Sequence, residues 1–237
     1  MFKRKFIIGL VVAAAFVLGL QGTALAKKMS ATFKVRIENI SGSEGLAAAD
    51  GSKYPFALSP GLYIASNENT GLFKVGKRAG EALERQAEDG NPEFLAKKLL
   101  TSVGSARMGI FNMPVGADKP APILPGGAYE FTFTAEEGAK LNFIAMYGQS
   151  NDLFYAPEKA LELFVDGKAL SGDITDKVML WDAGTEVNQA PGIGADQAPR
   201  QKAANTGAAE SVAVGPVKDG FTYPNTKDVL RVTITAQ

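Results

Sequence analysis

Residues 129–147 read YEFTFTAEEGAKLNFIAMY, and this stretch decides the fold. Tyr129, Phe131 and Phe133 alternate with Glu130, Thr132 and Thr134, the period of a strand with one buried face. Glu136-Glu137-Gly138 is a turn signal. Leu141 to Tyr147 then returns as a second, more apolar strand. Two such runs joined by a short turn make an antiparallel hairpin.

The same pattern recurs on either side. In Thr32 to Ile40 (TFKVRIENI), Phe33, Val35 and Ile37 share one face while Lys34, Arg36 and Glu38 share the other. Leu161 to Val165, Lys177 to Trp181 and Val229 to Thr235 are further strands, the last with Leu230, Val232 and Ile234 inward. Phe56 to Ser66 is apolar but carries Pro60-Gly61, so short extended pieces around a bend are expected. One section is helical. From Lys77 to Ala87 the residues Ala79, Ala82, Leu83 and Ala87 fall on one helical face, and Asp89-Gly90 stops the run. Asn91-Pro92 opens a second helix with a cap and a first-turn proline, with Phe94, Leu95, Leu99 and Leu100 expected inward. The expected fold is all-β, an antiparallel sandwich with an inserted α-hairpin on its side or end. Trp181 is assigned to the sandwich core.

The chain of 237 residues contains neither histidine nor cysteine. Disulfides, thiol nucleophiles, Ser-His-Asp triads and imidazole or thiolate zinc sites are therefore excluded. A metal would be held by oxygen alone, which selects hard cations such as calcium or magnesium. Lys3, Arg4 and Lys5 precede an apolar run from Phe6 to Leu20, and Ala24-Leu25-Ala26 follows as a small-x-small cleavage pattern. Residues 1–26 are thus expected to be a signal peptide and 27–237 one exported domain, periplasmic or secreted. Without the leader, 22 basic stand against 25 acidic groups. That balance is not a nucleic-acid binder's footprint.

Candidate chemistry rests on acids at strand ends. Asp152 follows the LNFIAMY strand, Asp182 closes the strand ending in Trp181, and Glu186 comes four residues later across Gly184; Glu130 sits on the polar face of YEFTFT. A strand-end Asp, a glycine turn and a second acid can surround one calcium ion, which takes six to eight oxygens at roughly 2.3–2.6 Å. The bland alternative is that each Asp merely forms its turn through a local backbone bond; Asp173 and Asp176 are read that way. A carboxylate-based hydrolase using Asp182 and Glu186 is a further alternative. Residues 183–210 lack apolar periodicity, and a loop this long after an acidic motif reads as functional.

Several segments together resemble the spondin N-terminal domain family, known from F-spondin and mindin. The fullest match lies within 56–100, in ALSPGLYIASNENTGLFKVGKRAGEALERQAEDGNPEFLAKKL; LWDAGTE at 180–186 is close to an Asp-Ala-Gly-Thr-Asp motif, and FTYP at 221–224 leads into the last strand. The resemblance implies a sandwich similar to calcium/phospholipid-binding sandwich domains, used as an adhesion or matrix-binding module with a divalent-cation site, usually calcium. By position, Asp182 and Glu186 match the two acids of that motif and Asp152 the acid of a Ser-Pro-Asp-Trp-Phe loop. Glu130 matches a further acidic ligand more loosely. Departures are Glu186 for Asp, Asn151-Asp152-Leu153 for Pro-Asp-Trp, and no cysteines. What the resemblance implies is a stand-alone, non-catalytic, calcium-binding module whose partner is an envelope or extracellular protein, a glycan or a lipid surface. A structural envelope protein without a specific ligand is the alternative. Few carboxylates imply weak affinity, on the order of 10⁻⁴–10⁻³ M.

Overall fold

In β1 (Ser30–Asn39), Phe33, Val35 and Ile37 are buried while Lys34, Arg36 and Glu38 lie on the opposite, half-exposed face. The computed structural model describes residues 28–67, 71–103 and 108–237; the expected signal peptide lies outside the described residues. The other main strands are β2 (Leu58–Ser66), β3 (Met108–Phe111), β4 (Ala128–Glu136), β5 (Lys140–Tyr147), β6 (Leu153–Pro157), β7 (Val178–Asp182) and β8 (Leu230–Ala236). The helices α1 (Glu81–Asp89) and α2 (Glu93–Val103) are inserted between β2 and β3.

All strand pairs among the described residues are antiparallel. One sheet runs Gly172–Asp173, β8, β1, β4, and the other Gly215–Pro216, β7, β6, β5, β2, β3, with Leu161–Glu162 pairing on β5. The two sheets close on an aromatic-rich core. Phe33, Val35, Tyr129, Phe131 and Val232 of the first meet Leu141, Phe143, Tyr147 and Tyr155 of the second. The protein is therefore a mostly-β antiparallel sandwich with a helical hairpin, as its alternating strands require.

The hairpin lies flat on the outer face of the second sheet. Leu83, Ala87, Leu95 and Leu99 pack there against Leu62, Ile64, Ile144, Phe154 and Trp181. This explains why LNFIAMY lacks polar alternation: β5 is covered on both sides, and doubly covered strands read as continuous apolar runs. Trp181 accordingly belongs to the sheet–helix layer and not to the sandwich core, with its indole N–H donating to Ala156 O at 3.2 Å.

Three local expectations change. Pro60-Gly61 does not divide the strand; the register between β2 and β5 shifts between Leu58 and Gly61, a bulge inside one continuous strand. Only glycine fits at 61, because a Cβ there would come within 2.1 Å of Ile144 O and 2.3 Å of the Phe111 ring. Helix α1 starts at Glu81 instead of Lys77, and it ends at Gly90 in the left-handed region (φ 63°) as the Asp-Gly pair predicts. Phe94 and Leu100 point outward. Leu95, Ala96 and Leu99 form the buried stripe, while the Arg85 guanidinium lies 5.7 Å over the Phe94 ring.

Candidate metal centre

The turn from β5 into β6 is polar in composition yet wholly buried: Gln149, Ser150, Asn151 and Asp152 are all 5 % exposed or less. Its residues are spent on holding the chain. Ser150 Oγ donates to Tyr147 O at 2.6 Å and accepts from Leu153 N at 3.1 Å. Asn151 Nδ2 donates to Glu186 Oε2 at 3.0 Å, and its Oδ1 accepts from Gln189 N at 3.0 Å. Asp152 Oδ2 accepts from Thr185 N at 2.7 Å, Thr185 Oγ1 at 3.2 Å and Glu186 N at 3.1 Å. Through these bonds the 148–152 turn clamps the start of the long loop after β7.

That loop doubles back beside its own beginning. Val187 N donates to Ala208 O, Glu210 N to Thr185 O and Val212 N to Gly184 O. Gly184 has φ 67°, and a Cβ on it would come within 2.8 Å of Val212 O, so the return path needs glycine here. Within the loop, buried Gln197 accepts from Gly192 N at 3.0 Å and donates to Ala190 O at 2.9 Å. Arg200 ties the loop to Gln149 Oε1 at 3.1 Å.

Closure of the loop sets Glu210 beside Asp182. Carboxylate oxygens of Asp152, Asp182 and Glu210 all lie within 4.8 Å of one another. Asp182 Oδ1 accepts from Gly184 N at 2.7 Å and its Oδ2 from Asn188 Nδ2 at 2.8 Å. Asp152 is fully buried, and while Oδ2 takes three donors, Oδ1 has none. Asn188 Oδ1 is likewise buried without a donor. Among the described residues no lysine or arginine pairs with any of the three acids.

The electrostatics follow. Burial, and next the neighbouring Asp182 charge, push the Asp152 carboxyl up to about 7. Burial raises Asp182, and burial with the Asp182 and Asp219 charges raises Glu210. A buried acceptor without a donor costs about 1–3 kcal/mol, more when charged. A divalent cation removes that cost for all three acids together. The donors are oxygens only, which fits a hard divalent cation.

Of the acids singled out in the sequence, the structure brings Asp152 and Asp182 together and leaves two elsewhere. Glu186 opens onto a different, smaller cavity lined with Glu84, Glu88 and Asn205. Its place in the group is taken by Glu210, at the far end of the loop, where strand-end spacing gives no hint of it. Glu130 is on the outer face of the first sheet, bound to Lys34 Nζ and Arg36 Nη1, both at 2.7 Å. Those two cations hold its carboxyl below the usual range. Asp173 is a turn-former, its Oδ1 accepting from Thr175 N at 2.8 Å. No family model matches this chain, and no curated protein matches it either.

Proposed function

We propose that this chain is an exported, non-catalytic recognition module of the spondin N-terminal type, built around one calcium ion held by Asp152, Asp182 and Glu210. The observation that carries the reading is Asp152 Oδ1: a fully buried carboxylate oxygen with no donor, beside two further carboxylates that, among the described residues, form no salt bridge with a lysine or arginine. A turn-forming aspartate needs one or two local N–H donors and no second acid. Asp182 and Glu186 open onto separate cavities, an arrangement that favours ion binding over a shared acid/base pair. Support for the spondin type comes from the quoted motifs, and from the way LWDAGTE forms the end of β7 and the turn that grips Asp152.

The binding face is the loop end of the sandwich, where the 148–152 turn and the 183–210 loop meet. Loops on a rigid scaffold commonly carry recognition. The partner class is an envelope or extracellular protein, a glycan or a lipid surface. Calorimetric titration of the 27–237 chain with calcium tests the reading, alongside Asp182→Asn. Saturable binding that the variant loses, with a melting temperature that climbs with calcium, is the expected result. No heat up to several millimolar and no thermal shift would remove the ion, leaving a structural envelope protein as the better account.

A further inference from the structure

A cavity of about 530 Å³ opens directly above Asp182 and Glu210. Its volume is in the range of small-molecule sites. Its walls are unusual for solvent-facing surface. Val187, Val212 and Phe221 are 46 %, 50 % and 40 % exposed, and all three line this one cavity. Lys218 and Asp219 complete the mouth, with Asp219 held by the Tyr223 hydroxyl and by Phe221 N. Clustered exposed apolar side chains beside convergent polar groups mark a ligand site more often than idle surface.

We infer that this cavity binds a neutral sugar through a vicinal diol that completes the calcium shell, with the sugar's C–H face against Val187, Val212 and Phe221. The inference rests on the calcium reading above and names the ligand class of that same site. Charge selects the ligand. Asp182, Glu210 and Asp219 on the cavity wall, the buried Asp152 grouped with the first two, one ammonium (Lys218) and a divalent cation leave one net negative charge around the site. A second anion, whether phosphate or carboxylate, is repelled by that excess. A diol is not. Its two oxygens coordinate the ion through lone pairs, and its two O–H groups donate to acceptors that have room. Glu210, which lines the cavity, is such an acceptor, since its carboxylate has no donor among the described residues. Lys218 supplies a donor for a further ring hydroxyl. The apolar walls match the C–H face that a pyranose presents beside its hydroxyls. The concave shape also favours a small ring over an extended lipid surface.

The test uses methyl gluco-, manno- and galactopyranoside, which between them present diequatorial and axial–equatorial diols. O-Phosphoserine serves as the anionic probe. Each is titrated against the 27–237 chain in 5 mM calcium and in chelator, by ligand-observed NMR, with calcium binding measured separately by calorimetry. Expected is saturable binding of at least one glycoside in calcium, abolished by chelator and weakened at least tenfold in Phe221→Ser. That variant should keep the wild-type calcium isotherm, because Phe221 is exposed, is not a ligand and makes none of the bonds that fold the loop onto Asp182. Calcium binding without binding of any glycoside overturns the sugar assignment and leaves the calcium site standing. So does O-phosphoserine binding more tightly than every glycoside, which would point to an anionic headgroup. Absence of calcium binding overturns the site itself, and the sugar assignment with it.

Discussion

Glu130 and Asp152 carry the same functional group in opposite surroundings. Glu130 stands on the outer face of the first sheet, 28 % exposed, with Lys34 and Arg36 both 2.7 Å from it. Asp152 is fully buried at the end of the second, with acids for neighbours and one oxygen without a donor. The first arrangement lowers the carboxyl's pKa and the second lifts it to about 7. A folded chain tolerates the second only where something else compensates. The contrast therefore separates a carboxylate paired within the fold from one left with a donor-free oxygen among other acids.

Replacing each acid by its amide sharpens the comparison most. Asp152→Asn is expected to weaken calcium at least a hundredfold by calorimetry, whereas Glu130→Gln leaves the isotherm unchanged. The same pair should diverge in stability without calcium at pH 8. Asn keeps an oxygen for the Thr185 and Glu186 N–H groups and turns an amide donor toward Asp182 and Glu210, so Asp152→Asn gains on the order of 1–3 kcal/mol in denaturant melts. A loss of that size instead would mean that Asp152 is a structural acid like Glu130, and the comparison would collapse.

Dependence on pH comes next. A carboxyl raised from an unfolded value near 3.9 to about 7 in the fold binds its proton more tightly folded than unfolded. Its contribution to stability is present in full below about pH 4 and is lost as pH rises through about 7. Glu88, 4 % exposed and pushed up to about 7 by burial, acts in the same direction. Each tenfold gain in proton affinity on folding is worth about 1.4 kcal/mol. The calcium-free chain should therefore lose roughly a few kcal/mol between pH 5 and pH 8 by thermal or urea melts. Saturating calcium should remove the Asp152 part of the slope, since ion binding expels its proton, and leave the Glu88 part. A calcium-free profile that is flat over that interval would contradict the burial argument for both acids.

How far the sequence reached follows the same divide between local and distant causes. Alternation in β1 and β4 is legible because one face of each is wet, so Phe33, Val35, Phe131 and their polar neighbours declare their sides. The helix stop at Gly90 is legible because its left-handed backbone is a property of that residue. The inward side of α2 is legible in part: Leu95 and Leu99 are buried as their spacing predicts, whereas Phe94 and Leu100 face outward, Phe94 with Arg85 of the other helix over its ring. At the site, Asp152 and Asp182 are visible as strand-end acids. Glu210 is not. It reaches Asp182 only because backbone bonds from Val212 to Gly184 and from Glu210 to Thr185 fold the long loop onto its own start. The available signal is geometric: Gly215–Pro216 pairs with Trp181 and Asp182, so the residues just before it must come home to the end of β7. Nearness in sequence favours Glu186, whose carboxylate is instead fixed by Asn151 at 3.0 Å and packed under Gly207.

That substitution of one acid for another gives the next test. Glu210→Gln should weaken calcium about tenfold, and Glu186→Gln no more than about threefold, because Glu210 offers its oxygens to the group while Glu186 acts only through the loop it anchors. The reverse order would restore the assignment that spacing suggests and would require the loop to close differently with the ion bound.

The smallest effect belongs to Glu130 itself. Its partners are 39 % and 34 % exposed, and ion pairs at such positions contribute about 0–1 kcal/mol because water and salt screen them. Glu130→Gln should cost no more than about 1 kcal/mol in urea melts at low ionic strength. At about 0.5 M salt, where the screening length shrinks to about 4 Å, the cost should fall by half or more. The amide still accepts a hydrogen bond from Arg36 but no longer offsets two cations, so what is lost is the coulombic part, and salt removes that part from the wild type as well. A salt-independent loss of about 2 kcal/mol or more, beyond the range of exposed pairs, would show that Glu130 is held as tightly as a buried acid, and the distinction between the two carboxylates would then have to rest on the ion alone.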